Sequence, residues 1–117
     1  MLFILSIVNL AMGLLMAGIG TPMAKGKIKP NTLYGFRTKK TLSDEKIWYP
    51  ANAYAGKSLI YAGIATCILS AIFAILDKTT ALFVNFSETA ALIVFCIVLF
   101  VPIVVMTVAC MMYLKKL

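Results

Sequence analysis

The sequence predicts an all-α integral membrane protein with three transmembrane helices and a long structured polar hinge between helices 1 and 2. Three observations predict it. Hydrophobic residues fill 62% of the 117 positions and mean hydropathy is +0.99, where a soluble domain holds about half apolar residues. The excess falls into three runs, at about 1–24, 58–76 and 89–114, and none of them contains a charged residue. The polar chemistry is gathered into one segment, 25–57, where a plain connector needs only a handful of residues. The whole chain, 1–117, reads as a single membrane domain.

The first run spans about 36 Å as a helix, against about 30 Å of bilayer hydrocarbon. It is apolar from Met1 onward and has no basic leading region. Its end, Gly18-Ile19-Gly20-Thr21-Pro22, offers small residues without a clean A-x-A cleavage site, so the run reads as a span and not as a signal peptide. Asn9, Gly13, Ala17 and Gly20 recur at helical spacing on it, continued by Thr21 and Ala24. Helices in lipid associate through small residues that allow close backbone approach. This stripe should therefore bury against a comparable face of the second run: Gly56, Gly63, Cys67, Ser70 and Ala74.

The hinge follows. Gly26 and Pro30-Asn31 mark turns. Gly35, between Tyr34 and Phe36, suggests positive φ or close backbone approach. The run Thr41-x-Ser43-Asp44-Glu45 reads as a helix start, with a hydroxyl cap and acids in the first turn. From there Trp48, Asn52 and Gly56 share one helical face, and the run can continue directly into the second membrane helix, with Pro50 near its start, where a missing amide proton costs least. The expected picture is an amphipathic segment that lies at the membrane interface and then turns into the bilayer.

The second and third runs give spans of about 28 and 39 Å. With no water in the hydrocarbon, their backbones must be helical. The third run is bulkier, from Leu92, Ile93, Val94 and Phe95 to Phe100, and should show more surface to lipid. Pro102 predicts a kink near Val98–Pro102.

Charge predicts orientation. The hinge carries eight Lys and Arg against Asp44 and Glu45, a net +6; the connector around Asp77, Lys78 and Glu88 is net −1, and Lys115 and Lys116 end the chain. Cytoplasmic loops collect Lys and Arg. We therefore expect a multi-pass cell-membrane protein with the N-terminus outside and the hinge and C-terminus cytoplasmic. That placement accounts for the net +7 without a nucleic-acid partner.

The catalytic inventory is thin. The chain has no His, which removes the commonest general base and a favoured metal ligand. Cys67, Cys96 and Cys110 lack metal-binding spacing and read as small buried hydrophobes. We expect no enzyme, no catalytic residues, no metal and no cofactor. Tyr34, Trp48, Tyr49, Tyr54 and Tyr61 can be read as an interfacial aromatic belt, and Lys39, Lys40 and Lys46 as solvated cations facing anionic lipid. Asn31, Arg37 and Asn52 fit those readings less well, since amides do not orient helices and the Arg fork suits bidentate partners.

The spacing Asn31-x-x-Tyr34-Gly35-Phe36-Arg37-Thr38-x-x-Thr41, followed by Trp48-x-x-x-Asn52-x-x-x-Gly56, resembles the signature of the SdpI family of bacterial membrane proteins. In helix layout the chain is similar to the C-terminal three-helix module of that family. The resemblance implies an immunity protein conferring resistance to a membrane-active peptide toxin of the sporulation-delaying type, or related signalling. It implies as partners a peptide toxin and a cytoplasmic autorepressor; the apolar runs themselves imply the lipid bilayer, and a homo-oligomer with a second copy is a further expectation. The matching positions Asn31, Tyr34, Gly35, Arg37, Thr38, Thr41, Trp48, Asn52 and Gly56 are the expected binding or hinge motif. In that motif Arg37 would clamp a phosphate or backbone carbonyls, with Asn31 and Asn52 at its remaining donors, and Trp48 would anchor the interfacial helix. The alternative is a non-catalytic lipid-headgroup binder or a structural subunit of a membrane assembly.

Overall fold

A computed structural model describes residues 2–81 and 85–117. Met1, the expected start of the first span, lies outside the described residues. Four helices follow in order: α1 (Leu2–Ala24), α2 (Lys39–Ser43), α3 (Glu45–Thr79) and α4 (Glu88–Leu114). Helices α1, α3 and α4 are each long and apolar enough to cross a membrane.

Helix α3 bears out the continuation of the hinge helix into the second membrane run. At 35 residues it absorbs the second half of the hinge and runs on into the apolar run, a rod of about 52 Å. The whole molecule is 54 Å along its longest axis, so this helix sets its length. Residues 45–57 of the hinge and the second apolar run thus form one continuous helix. The cap differs from the expectation. Asp44, not a hydroxyl residue, is the N-cap, its carboxylate accepting from Lys46 N at 2.9 Å. Pro50 is the sixth residue of the helix, past the turn in which amides are unpaired anyway, and it withholds a proton from the Lys46 carbonyl.

The expected pairing of α1 with α3 is the main contact of the bundle. Gly20 faces Gly56 and Gly13 faces Gly63, backbone against backbone: a Cβ on Gly20 would fall 2.6 Å from Gly56 O, and one on Gly13 2.6 Å from Gly63 O. The two helices run antiparallel in this register, and Cys67 Sγ lies 3.5 Å from Leu10 O. At the far end the Asp77 carboxylate accepts from Phe3 N at 3.1 Å, occupying one of the unpaired amides of the first turn.

Helix α4 packs less closely and exposes most of its surface, as its bulky residues suggest. Val98 and Leu99 nonetheless turn inward and are buried. Asn9 ties α4 to α1 within the apolar region, its Nδ2 donating to Phe95 O at 3.1 Å. Of the three cysteines only Cys110 is buried; Cys67 is half-buried and Cys96 is exposed. Cys96 sits on the outer face of α4, where lipid makes an apolar thiol harmless.

Candidate functional site

The hinge is a folded unit built on the first turns of α3. It begins where α1 stops. Lys27 N donates to Pro22 O and Gly26 N to Met23 O, both at 3.1 Å, the paired bonds of a Schellman stop. Gly26 supplies the required positive φ of 71°.

Asn31 then makes a turn of its own side chain. Its Oδ1 accepts from Leu33 N at 2.8 Å and Tyr34 N at 2.7 Å, and its Nδ2 donates to Lys29 O and Tyr34 O. All four hydrogen-bonding positions of an amide are thereby used, so Asn31 has none left for Arg37. Tyr34 turns inward onto the Met23–Ala55–Cys110 cluster and its hydroxyl donates to Ile19 O, which ties the loop to α1.

Trp48 and Asn52 are the floor of the hinge. Trp48 is 0% exposed and its indole Nε1 donates to Ile28 O at 2.8 Å. It is therefore not a belt aromatic facing lipid headgroups but the core of the folded loop. Asn52 grips the backbone of Phe36 from both sides: Oδ1 accepts from Phe36 N at 2.6 Å and Nδ2 donates to Phe36 O at 3.3 Å. A second bond from Nδ2, to Trp48 O at 3.0 Å, fixes the amide. Gly35 passes directly over this pair at φ 115°. A Cβ there would fall 2.6 Å from Asn52 Oδ1 and 3.3 Å from the Trp48 ring, so both positive φ and close approach require glycine.

Thr38 and Thr41 close the loop with a reciprocal capping box. Thr41 N donates to Thr38 Oγ1 at 3.1 Å and Thr38 N to Thr41 Oγ1 at 2.7 Å, and Thr41 is fully buried. These bonds start α2. Lys40 of that helix reaches the end of α4, donating from Nζ to Leu114 O at 2.9 Å. Its side chain is exposed, as its sequence context suggests, yet the ammonium is tied to the negative end of a helix dipole, sharing the Leu114 carbonyl with Leu117 N, which donates to it at 3.1 Å. Residue spacing holds no signal for this contact, since the partner lies 74 positions away.

Eight of the nine motif positions are thus held inside the hinge or against α1. Gly56 belongs with them through its packing on Gly20 and Ala24. Arg37 stands apart, with an exposed side chain whose Nη1 donates to Thr32 O. Neither Asn31 nor Asn52 reaches it. A carbonyl partner of the expected kind is present, and the side chain is otherwise exposed, as is Leu33, which follows Thr32 in the chain and is 88% exposed. The site offers no nucleophile–base pair; it offers a rigid loop with one cationic fork and one apolar tip at its surface.

The model of the SdpI/YfhL protein family matches residues 27–113. Over 34 residues the chain is 38% identical to the uncharacterized protein YfhL of Bacillus subtilis (strain 168), a stretch covering 29% of this chain and 31% of that protein. The chain thus matches less than a third of that relative's length. No solved structure matches the chain.

Proposed function

We propose, on the premise that this chain belongs to the SdpI/YfhL protein family, that it confers resistance to a membrane-active peptide toxin through the outer surface of its hinge, without catalysis. One observation carries the reading. The hinge interior is saturated with its own hydrogen bonds, yet Arg37 is kept at the surface by a single carbonyl contact beside exposed Leu33. A cationic fork next to an apolar tip, at the level where the bundle leaves the hydrocarbon, suits an amphipathic peptide that reaches the membrane surface.

The test is survival of toxin-sensitive cells expressing the protein under a toxin of the sporulation-delaying type. Arg37→Lys keeps the charge and loses the planar fork. It is expected to insert with wild-type abundance and lose most of the protection, whereas Lys39→Gln changes little. Equal protection by Arg37→Lys and wild type would return Arg37 to a simple charge. If the wild-type protein gives no protection, the same surface is better read as a lipid-headgroup or structural contact.

The reading places the hinge and C-terminus in the cytoplasm. In support of one shared side, Lys40 contacts Leu114, so hinge and C-terminus lie at the same end of the bundle. The charge contrast between the two ends supports the orientation. In a background lacking native thiols, cysteine at position 80 is expected to react with an impermeant reagent in intact cells and cysteine at position 39 is not. The reverse pattern would invert the topology.

A further inference from the structure

The seam between α3 and α4 is open to the outside along much of its length. A cleft of about 400 Å³ lies between Ala62 and Ala65 on one helix and Val101 and Val105 on the other. Toward the hinge end it continues, through Ala109, into a second cleft of about 310 Å³ lined by Tyr54, Tyr113 and Lys116. The character changes along the groove. Its body is almost wholly apolar, whereas its mouth carries two phenols and an ammonium.

The mouth is built. Tyr54 and Tyr113 stack with ring centroids 4.2 Å apart and planes within 7°, bridging α3 to the last turn of α4. Neither hydroxyl has a hydrogen-bond partner among the described residues, and neither does the Lys116 ammonium. Lys40, at the same end of the bundle, is committed to Leu114 O. The mouth therefore holds free donors and a free positive charge at the border of the hydrocarbon, directly above an apolar slot.

We propose that this groove binds one anionic phospholipid, with an acyl chain along the α3–α4 seam and the phosphate at Tyr54, Tyr113 and Lys116. The match is one of chemistry and order: a single amphiphile has the same apolar-to-anionic sequence along its length. Basic pockets between membrane helices are suited to such headgroups, and each interfacial lysine contributes an attraction worth about fivefold in binding. A second copy is a poorer occupant. Two copies in one membrane share an orientation, so their hinge ends, each carrying Lys115, Lys116 and the hinge cations, would be set side by side with like charge. The inference does not rest on the toxin reading, because neither Arg37 nor any other motif residue lines the groove.

Native mass spectrometry of the full chain in detergent tests it, with equimolar phosphatidylglycerol and phosphatidylcholine of identical acyl chains. The wild type is expected to keep one phosphatidylglycerol in preference. Lys116→Gln should lower that preference about fivefold, and Lys115→Gln, outside the groove, should not. Ala65→Phe, which fills the apolar slot, should reduce retention of both lipids. Circular dichroism on the same samples reports folding; if Ala65→Phe fails to fold, the exposed Lys116→Gln decides alone. Equal retention of the two lipids, or an unchanged preference in Lys116→Gln, would overturn the proposal. So would a fall in oligomeric mass in Ala65→Phe with lipid retention intact, which would assign the groove to a second copy.

Discussion

Gly56→Ala, a single added methyl group, is expected to cost about 3 kcal/mol, the upper end of what overpacking usually costs. The added carbon would overlap Ala24 N and sit 2.6 Å from Gly20 O and 2.7 Å from Met23 Cβ. Two of those atoms are backbone and cannot swing aside, so relief requires α1 and α3 to separate. Separation at this point loosens the most extensive interface of the bundle and the floor on which Tyr34 packs. Gly18→Ala is the matched control: it adds the same methyl to α1, with nothing within 4 Å of the new carbon, and should leave stability unchanged or slightly higher. Thermal unfolding in detergent, followed by circular dichroism, compares the two. Equal stability of Gly56→Ala and Gly18→Ala would mean that the helices do not meet at Gly56.

The spans are legible in the sequence because lipid leaves a chain few options. An uncharged apolar run of this length must satisfy its own backbone, and small residues at helical spacing mark where backbones meet. Gly13, Gly20, Gly56 and Gly63 are therefore readable from spacing alone, as is the helical face shared by Trp48, Asn52 and Gly56. The continuation of the hinge helix into the second span is legible too; the cap is not, since a carboxylate supplies it where a hydroxyl is the expectation.

Within the site, residue types tell more than they do about residue partners. Gly35 and Gly26 announce special backbone geometry, and Asn31 a turn. Trp48 misleads, because a tryptophan near the end of a span has the same signature whether it faces headgroups or lies under a loop. Asn52 and Arg37 do stand apart from the topology signal, but the path of residues 28–37 alone decides that Asn52 meets Phe36 and Arg37 meets Thr32. The contact of Lys40 is hidden for the same reason: the carbonyl that draws it belongs to the other end of the chain.

Trp48→Ala is expected to unfold the hinge while leaving the membrane helices in place. The indole is fully buried, and its removal opens a large cavity under residues 28–36, a loss of about 3–5 kcal/mol for a core aromatic. It also leaves Ile28 O without its donor. Asn52 still bonds Phe36 from that side, but its amide rests on Trp48 O and cannot fill the void, so the deficit falls on the hinge and not on α1 packed against α3 at Gly13 and Gly63. Limited trypsin digestion reads this directly, because Lys27, Lys29, Arg37, Lys39 and Lys40 all lie in the segment. Wild-type protein should resist cleavage there, and Trp48→Ala should be cut at several of these sites with its helical circular dichroism largely retained. Trp48→Phe, which keeps most of the apolar volume and loses only the indole donor, should fall between them. If Trp48→Ala digests no faster than wild type, the indole is not the floor of the hinge, and the rigid presentation of Arg37 and Leu33 loses its structural basis.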